Sequence, residues 1–152
     1  MVRRSKGKAT NVLDRIADLT VVDQETGEER LLIEIKSRPA SANDRNQLIR
    51  CMQAFSVRAG LLIDPVTTIV VLLPSLESSK PEERKIPTEK LGLQSLSKLN
   101  EREMELHVKQ ALQTLAEAAR RGDYSKHPRE LFPDVVAILQ QGEILIEVRN
   151  TK

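Results

Sequence analysis

Aromatic residues are nearly absent from the 152-residue chain: Phe55, Tyr124 and Phe132 make up 2% of it, with no tryptophan. The core must therefore be aliphatic, and stacking of bases on aromatic platforms is excluded as the main binding device. A single cysteine, Cys51, excludes an intrachain disulfide framework and any multi-cysteine zinc centre. Placed on the apolar face of a helix, it reads as a small buried hydrophobe. His107 and His127 have no ligand-like neighbours, and neither is arranged with a Ser or Cys in a triad-like pattern. No Gly-rich phosphate loop of the G-x-x-x-x-G-K type occurs. No apolar run reaches membrane-spanning length, and Met1 to Lys6 is not followed by the apolar stretch of a signal peptide. These absences predict a soluble, cytoplasmic protein with no membrane contact.

Net charge is small, at +2, but unevenly spread. Arg3, Arg4, Lys6, Lys8 and Arg15 stand against Asp14 alone, and Lys36, Arg38, Arg45, Arg50 and Arg58 against Asp44 alone. An anionic partner would meet two basic zones on an otherwise acidic chain. Hydrophobic residues at 39% are sufficient for a core, and the length suits one domain.

The expected organisation is a single domain in four stretches. Residues 1–8 form a basic flexible arm, and 9–73 a compact core. Residues 74–97, rich in Pro, Ser and Glu, form a linker or loop that holds a helical turn or two after Thr88. Residues 98–152 hold a long helix and a closing β-hairpin. Within the core, Ala9–Ala17 reads as a short helix, and Leu19–Val22 and Arg30–Lys36 as a hairpin around Gln24-Glu25-Thr26-Gly27-Glu28. Ser41 and Asp44 cap a helix whose apolar face is Leu48, Cys51, Met52, Phe55 and Ala59, with Gly60 ending it. Leu61–Ile63 and Thr68–Leu73 are apolar strands separated by Asp64-Pro65, with Asp64 a turn former. Asn100 and Glu103 cap the long helix, whose stripe runs from Met104 to Ala119. Pro133–Ile138 and Ile144–Arg149 read as strands of the last hairpin.

The chemistry sits on the first hairpin. Alternation puts Leu32, Glu34 and Lys36 on one face and Leu31, Ile33 and Ile35 on the other. A turn centred on Gly27 sets Asp18 opposite Glu34 or Ile35, and opposed residues bring Cβ atoms to about 5 Å. Two carboxylates so placed suit one Mg²⁺, which takes one or two carboxylates together with water and phosphate oxygens. An ammonium beside them suits the orientation of an attacking water and the charge growing on a phosphodiester.

Asp18, a hairpin turn and then Glu34-Ile35-Lys36 resembles the signature of the PD-(D/E)xK nuclease superfamily. A helix bearing Gln47 follows, then apolar strands at Leu61–Ile63 and Ile69–Leu73, in the family's β-β-α-β order. Within that superfamily, residues 18–73, with Leu62-Ile63-Asp64-Pro65-Val66-Thr67, look most like the Uma-type endonucleases. The resemblance implies a restriction-endonuclease-like α/β fold, a mixed sheet flanked by helices. It implies a metal-dependent endonuclease acting on nucleic acid, DNA above all. Asp18 and Glu34 would hold Mg²⁺ or Mn²⁺, Lys36 would position the water, Gln47 would support them, and Arg38, Arg45 and Arg50 would hold phosphates. Ala17 stands where the family carries proline, and the acid often found on its first helix has Asp14 as its only counterpart. Those departures motivate the alternative, a catalytically inactive nuclease-fold protein serving as a binding or assembly module.

Asp134, Glu147 and Arg149 repeat the pattern near the C-terminus. Three readings stand: a permuted or exchanged arrangement with both hairpins in one sheet, a decayed duplication, or a plain structural hairpin. Arg149 is a poor replacement for lysine in proton transfer. The long amphipathic helix and the apolar edge of the last hairpin each call for a covering surface, so a homodimer is expected.

Overall fold

The computed structural model describes residues 17–77 and 80–146. Among the described residues the fold is mixed α/β, a sheet of six strands with three helices packed on it. The predicted helix at Ala9–Ala17 lies almost wholly outside the described residues, as do Glu147 and Arg149 and the basic arm.

Strand β1 (Leu19–Asp23) turns into β2 (Glu29–Ile35) through a reversal that its own side chains hold. Asp23 accepts from the amides of Glu25 at 2.8 Å and Thr26 at 3.0 Å, and Gly27 takes φ 77°, a left-handed geometry natural to glycine. The strands pair antiparallel, with Leu19 opposite Ile33. Helix α1 (Ala42–Ala54) then carries the chain back to β3 (Ala59–Ile63), which lies parallel to β2. Strands β4 (Thr67–Leu72) and β5 (Glu82–Pro87) follow antiparallel. Two short 3₁₀ turns lead to α2 (Glu101–Arg120), then α3 (Pro133–Gln141) and β6 (Gly142–Ile146). The strand order is β5-β4-β3-β2-β1-β6, so the last strand closes against the first.

Alternation along β2 divides the core as the sequence predicts. Leu31, Ile33 and Ile35 join Leu19 and Val21 beneath α2 and α3, packed on Met104, Val108, Leu112, Val135 and Leu139. Leu32 faces the other way, onto Leu48, Cys51 and Met52 of α1 together with Leu62 and Val71. Strand β3 is buried along its whole length because both layers cover it. Cys51 is fully buried, as expected.

Three expectations are corrected. Helix α1 stops at Ala54, not at Gly60: Ser56 takes φ 60° and reverses the chain, so Ala59 and Gly60 open β3. Gly60 is needed there for space, since a Cβ would lie 2.7 Å from the Met52 sulfur and 3.1 Å from a Leu48 methyl. The stretch 74–97 is not a plain linker but contains β5, whose five charged or proline positions around a lone buried Ile86 hide a strand pattern. Pro133–Ile138 is a helix, not a strand. Proline fits its first turn, Asp134 complements the dipole there, and Val135 and Leu139 are buried four residues apart. The C-terminal hairpin is thus replaced by a helix and one strand, and β6 alone shares the sheet of the first hairpin.

Gly142 joins α3 to β6 where no side chain fits: a Cβ would lie 2.3 Å from a Val21 methyl and 2.7 Å from the Ile138 carbonyl oxygen. Gly142→Ala should therefore cost about 1–3 kcal/mol by overpacking, although its φ of −113° is ordinary for alanine. Urea unfolding of that variant checks it, and a neutral result would mean that the α3–β6 junction lies elsewhere.

Candidate functional site

One end of the sheet gathers the start of β1, the end of β2, the entrance to α1 and the β3–β4 turn. The antiparallel β1–β2 pair and the parallel β2–β3 pair dictate this. The paired register ends with Leu19 opposite Ile33, and Asp18 shares Ile33 with Leu19 instead of facing Glu34 or Ile35 as the hairpin turn predicts. Asp18 is buried, its amide donates to the Ile33 carbonyl at 2.7 Å, and its carboxylate accepts from the Ile35 amide at 2.7 Å. The backbone of β2 thereby holds one edge of that carboxylate.

Glu34 and Lys36 emerge on the α1 side of β2. Their side chains meet, with Nζ of Lys36 2.7 Å from Oε2 of Glu34 and 3.7 Å from a carboxylate oxygen of Asp44. Asp44 sits where it does because it completes a capping box with Ser41, which receives and returns a hydrogen bond at the first turn of α1. Arg38 donates to the same carboxylate at 2.8 Å. Glu34, Lys36, Asp44 and Arg38 thus form a chain of alternating sign.

Their electrostatics diverge. Glu34 is only 7% exposed, and burial pushes its carboxyl up to about 7 despite the opposing pull of Lys36. The Arg38 guanidinium, seconded by the Ser41 amide and Lys36, holds Asp44 well below the usual carboxylate range. Oε1 of Glu34 is buried with no hydrogen-bond partner among the described residues. Such an oxygen is costly to leave unpaired, and it is the sort of group a cation or water would satisfy.

Asp18 has further company that the hairpin alone does not announce. Carboxylate oxygens of Asp18, Glu101 and Glu105 lie within 4.8 Å of one another. Glu101 and Glu105 stand one helical turn apart at the start of α2, while Glu103 between them caps the helix through Asn100. Partial burial and the nearby charge of Glu101 push the Glu105 carboxyl up. Three like charges so close are the arrangement a divalent cation relieves. Glu34 is not a member of that set, so the expected Asp18–Glu34 pair is split: Asp18 groups with α2, Glu34 with α1. The i, i+4 spacing of Glu101 and Glu105 was the only sequence signal for their joint use.

The remaining expected residues are distributed as follows. Gln47 is half-buried on α1, one turn beyond Asp44. Arg38 is paired with Asp44, and Arg45 with Glu83 on β5, so these two charges are met within the chain. Arg50 is exposed and has no ion pair among the described residues. Asp64 is the turn former expected: one carboxylate oxygen accepts from Val66 and Thr67, and the other from Ala40 at 2.8 Å. Those bonds tie the β3–β4 turn to the loop entering α1. Asp134 lies exposed at the start of α3, lining a cleft with Asp23 and Arg30 from the far ends of the strands, away from Glu34. His127 bonds the Leu115 carbonyl through Nε2 at 3.0 Å and is a packing residue. No helix among the described residues is long and apolar enough to cross a membrane. Compared with protein-family models, with curated proteins and with solved structures, the chain matches none of them.

Proposed function

We propose that the chain is a divalent-cation-dependent nuclease that hydrolyses phosphodiesters of nucleic acid, DNA in the first instance, on a PD-(D/E)xK-like scaffold. The observation that carries the reading is the Glu34 oxygen beside Lys36 with no partner among the described residues, at the same end of β2 to which Asp18, grouped with two α2 carboxylates, is bonded through the Ile35 amide. The donor set is all oxygen, which suits Mg²⁺ or Mn²⁺ and not a soft metal. Asp18, Glu101 and Glu105 would hold the ion, with Glu34 reaching it from the neighbouring strand. Bound there, a divalent cation supplies an acidified water and charge neutralisation for the phosphate. Lys36, placed by the pleat on the same face as Glu34, would hold that water and meet the negative charge that grows on the phosphoryl oxygens. Gln47 supports this cluster from the next turn of α1. Arg50 is the exposed cation for backbone phosphates, whereas Arg38 and Arg45 serve it only if they leave Asp44 and Glu83.

The test is cleavage of plasmid DNA, single-stranded DNA and RNA with Mg²⁺ or Mn²⁺, against a chelator control. Asp18→Asn, Glu34→Ala and Lys36→Ala should each lower the rate by about 100-fold or more while far-ultraviolet dichroism is unchanged. Unchanged cleavage in Glu34→Ala and Lys36→Ala sinks the assignment.

One observation favours the alternative of an inactive binding or assembly module. Lys36 already has its charge met by Glu34 and Asp44, so the α1 cluster is neutralised without any ion. Calorimetry with Mn²⁺ separates the two: heat abolished by Asp18→Asn supports the nuclease, and no binding at millimolar Mn²⁺ supports the inert module.

A further inference from the structure

The two edges of the sheet are built differently. The β5 edge is Glu82-Glu83-Arg84-Lys85-Ile86-Pro87, dense in charge and ending in proline, the composition that keeps an edge from pairing. Arg45 and Phe132 engage it further, through an ion pair to Glu83 and a cation–π contact with Arg84 at 4.1 Å. The β6 edge is Gly142-Glu143-Ile144-Leu145-Ile146, apolar but for one residue, and no described residue pairs with its outer side.

Its hydrogen-bonding phase follows from the neighbouring strand. The Gln24 amide donates to the Gln141 carbonyl at 3.1 Å. Alternation then turns the backbone of Glu143 and Leu145 inward to β1, and that of Gly142, Ile144 and Ile146 outward. Arg120 at the end of α2 already donates to the Gly142 carbonyl at 2.9 Å. Among the described residues, what stays open is the backbone of Ile144 and Ile146, with Leu145 between them 38% exposed.

We propose that this edge pairs antiparallel with β6 of a second copy, on a two-fold axis at Leu145, joining two sheets into one of twelve strands. That register sets Ile144 of each chain opposite Ile146 of the other, using all the outward amides and carbonyls that Arg120 leaves. Leu145 meets its own counterpart in the close, non-hydrogen-bonded pair, which covers the exposed side chain. Pairing of β6 with a β5 edge would build an open filament instead, and the charges and proline of β5 oppose it. The inference does not depend on the nuclease reading.

Light scattering on the full chain at about 100 µM should return twice 17.1 kDa, and Leu145→Lys, which sets two ammonium groups face to face, should return the single-chain mass with a cooperative melt that no longer depends on concentration. Leu145→Cys supplies a geometric readout. In the close pair its sulfurs are within bridging distance, so mild oxidation should give a covalent dimer, whereas Val66→Cys, more exposed and on the β3–β4 turn, should not. Native Cys51 is buried and does not compete. A monomeric wild type, a dimer that survives Leu145→Lys, or equal crosslinking of the two cysteine variants would each overturn the proposal.

Discussion

Glu34→Gln should make the protein more stable at pH 8, by an amount on the order of 3 kcal/mol, and leave it nearly unchanged at pH 4.5. The reason is linkage. In the unfolded chain Glu34 ionises around 4.5, whereas burial in the folded protein pushes it up to about 7. Between those values the folded state holds a proton that the unfolded state has lost. Stability contributed by the neutral carboxyl is therefore complete below about 4.5, declines as pH rises, and is gone above about 7. A difference near 2.5 units at about 1.4 kcal/mol each sets the size of the effect. Glutamine keeps the shape and cannot ionise, so it removes the slope. Asp44 works in the opposite sense: its carboxyl is held low by Arg38, so its contribution is present above the ordinary Asp range and is lost on acidification. Together the two groups place an optimum near pH 4.5, and Glu34→Gln should widen it into a plateau toward neutrality. Urea titrations at pH 4.5 and 8 in chelator decide this, and parallel pH slopes for wild type and variant would refute it. A divalent cation at the site would act on the same balance, since it favours the ionised carboxylate, so added Mn²⁺ should stabilise the wild type more at pH 8 than at pH 4.5.

The first hairpin was legible because its signals are local. Period-two alternation from Leu31 to Lys36 set the faces and Gly27 marked the turn, but the partner of Asp18 was not legible, because the pairing shifts at Val21 and Val22 and Asp18 shares Ile33 with Leu19. Helix α2 was likewise legible from local signals, with a capping box at Asn100 and Glu103 and a stripe sustained from Met104 to Ala119, about four turns. Short segments with one kind of residue were not. Val135-Val136-Ala137-Ile138 is β-branched enough to read as a strand, and tertiary packing of Val135 and Leu139 on the sheet decides for helix. In β5 a single buried Ile86 carries no period that could be read. The candidate site divides along the same line. Glu34 and Lys36 are two residues apart, so the pleat alone joins them. The i, i+4 spacing joins Glu101 to Glu105, but the pair reaches Asp18 only because α2 lies across the sheet, a long-range fact. Likewise, no local pattern foretold that Asp44 and Glu83 would take up Arg38 and Arg45. The two folded layers also correct the argument for association: the α2 stripe is covered by the chain's own sheet and by α3, so among the described residues it is the β6 edge that still asks for a partner.

If the α2 stripe were an intersubunit surface, Leu112→Glu would separate two chains and leave each folded. In the structure Leu112 has no exposed surface, packed among the α2 and α3 side chains and β2 beneath. A glutamate there has no cation or donor in reach among the core residues, which are all aliphatic or Phe132. It must either bury an unpaired charge or take up a proton, as buried carboxyls do, and in both cases it forfeits the contacts of a leucine. The cost should exceed about 4 kcal/mol, comparable to the whole stability of many domains of this size. Leu112→Glu should therefore abolish the cooperative melting transition and yield unfolded or aggregated chain, with partial recovery at acid pH where the carboxyl is neutral. Leu145→Lys should do the reverse, changing mass and leaving a cooperative melt in place. Dichroism melts and light scattering on both variants distinguish a core position from an edge position. A folded, monomeric Leu112→Glu would return α2 to the surface and overturn the packing described for it.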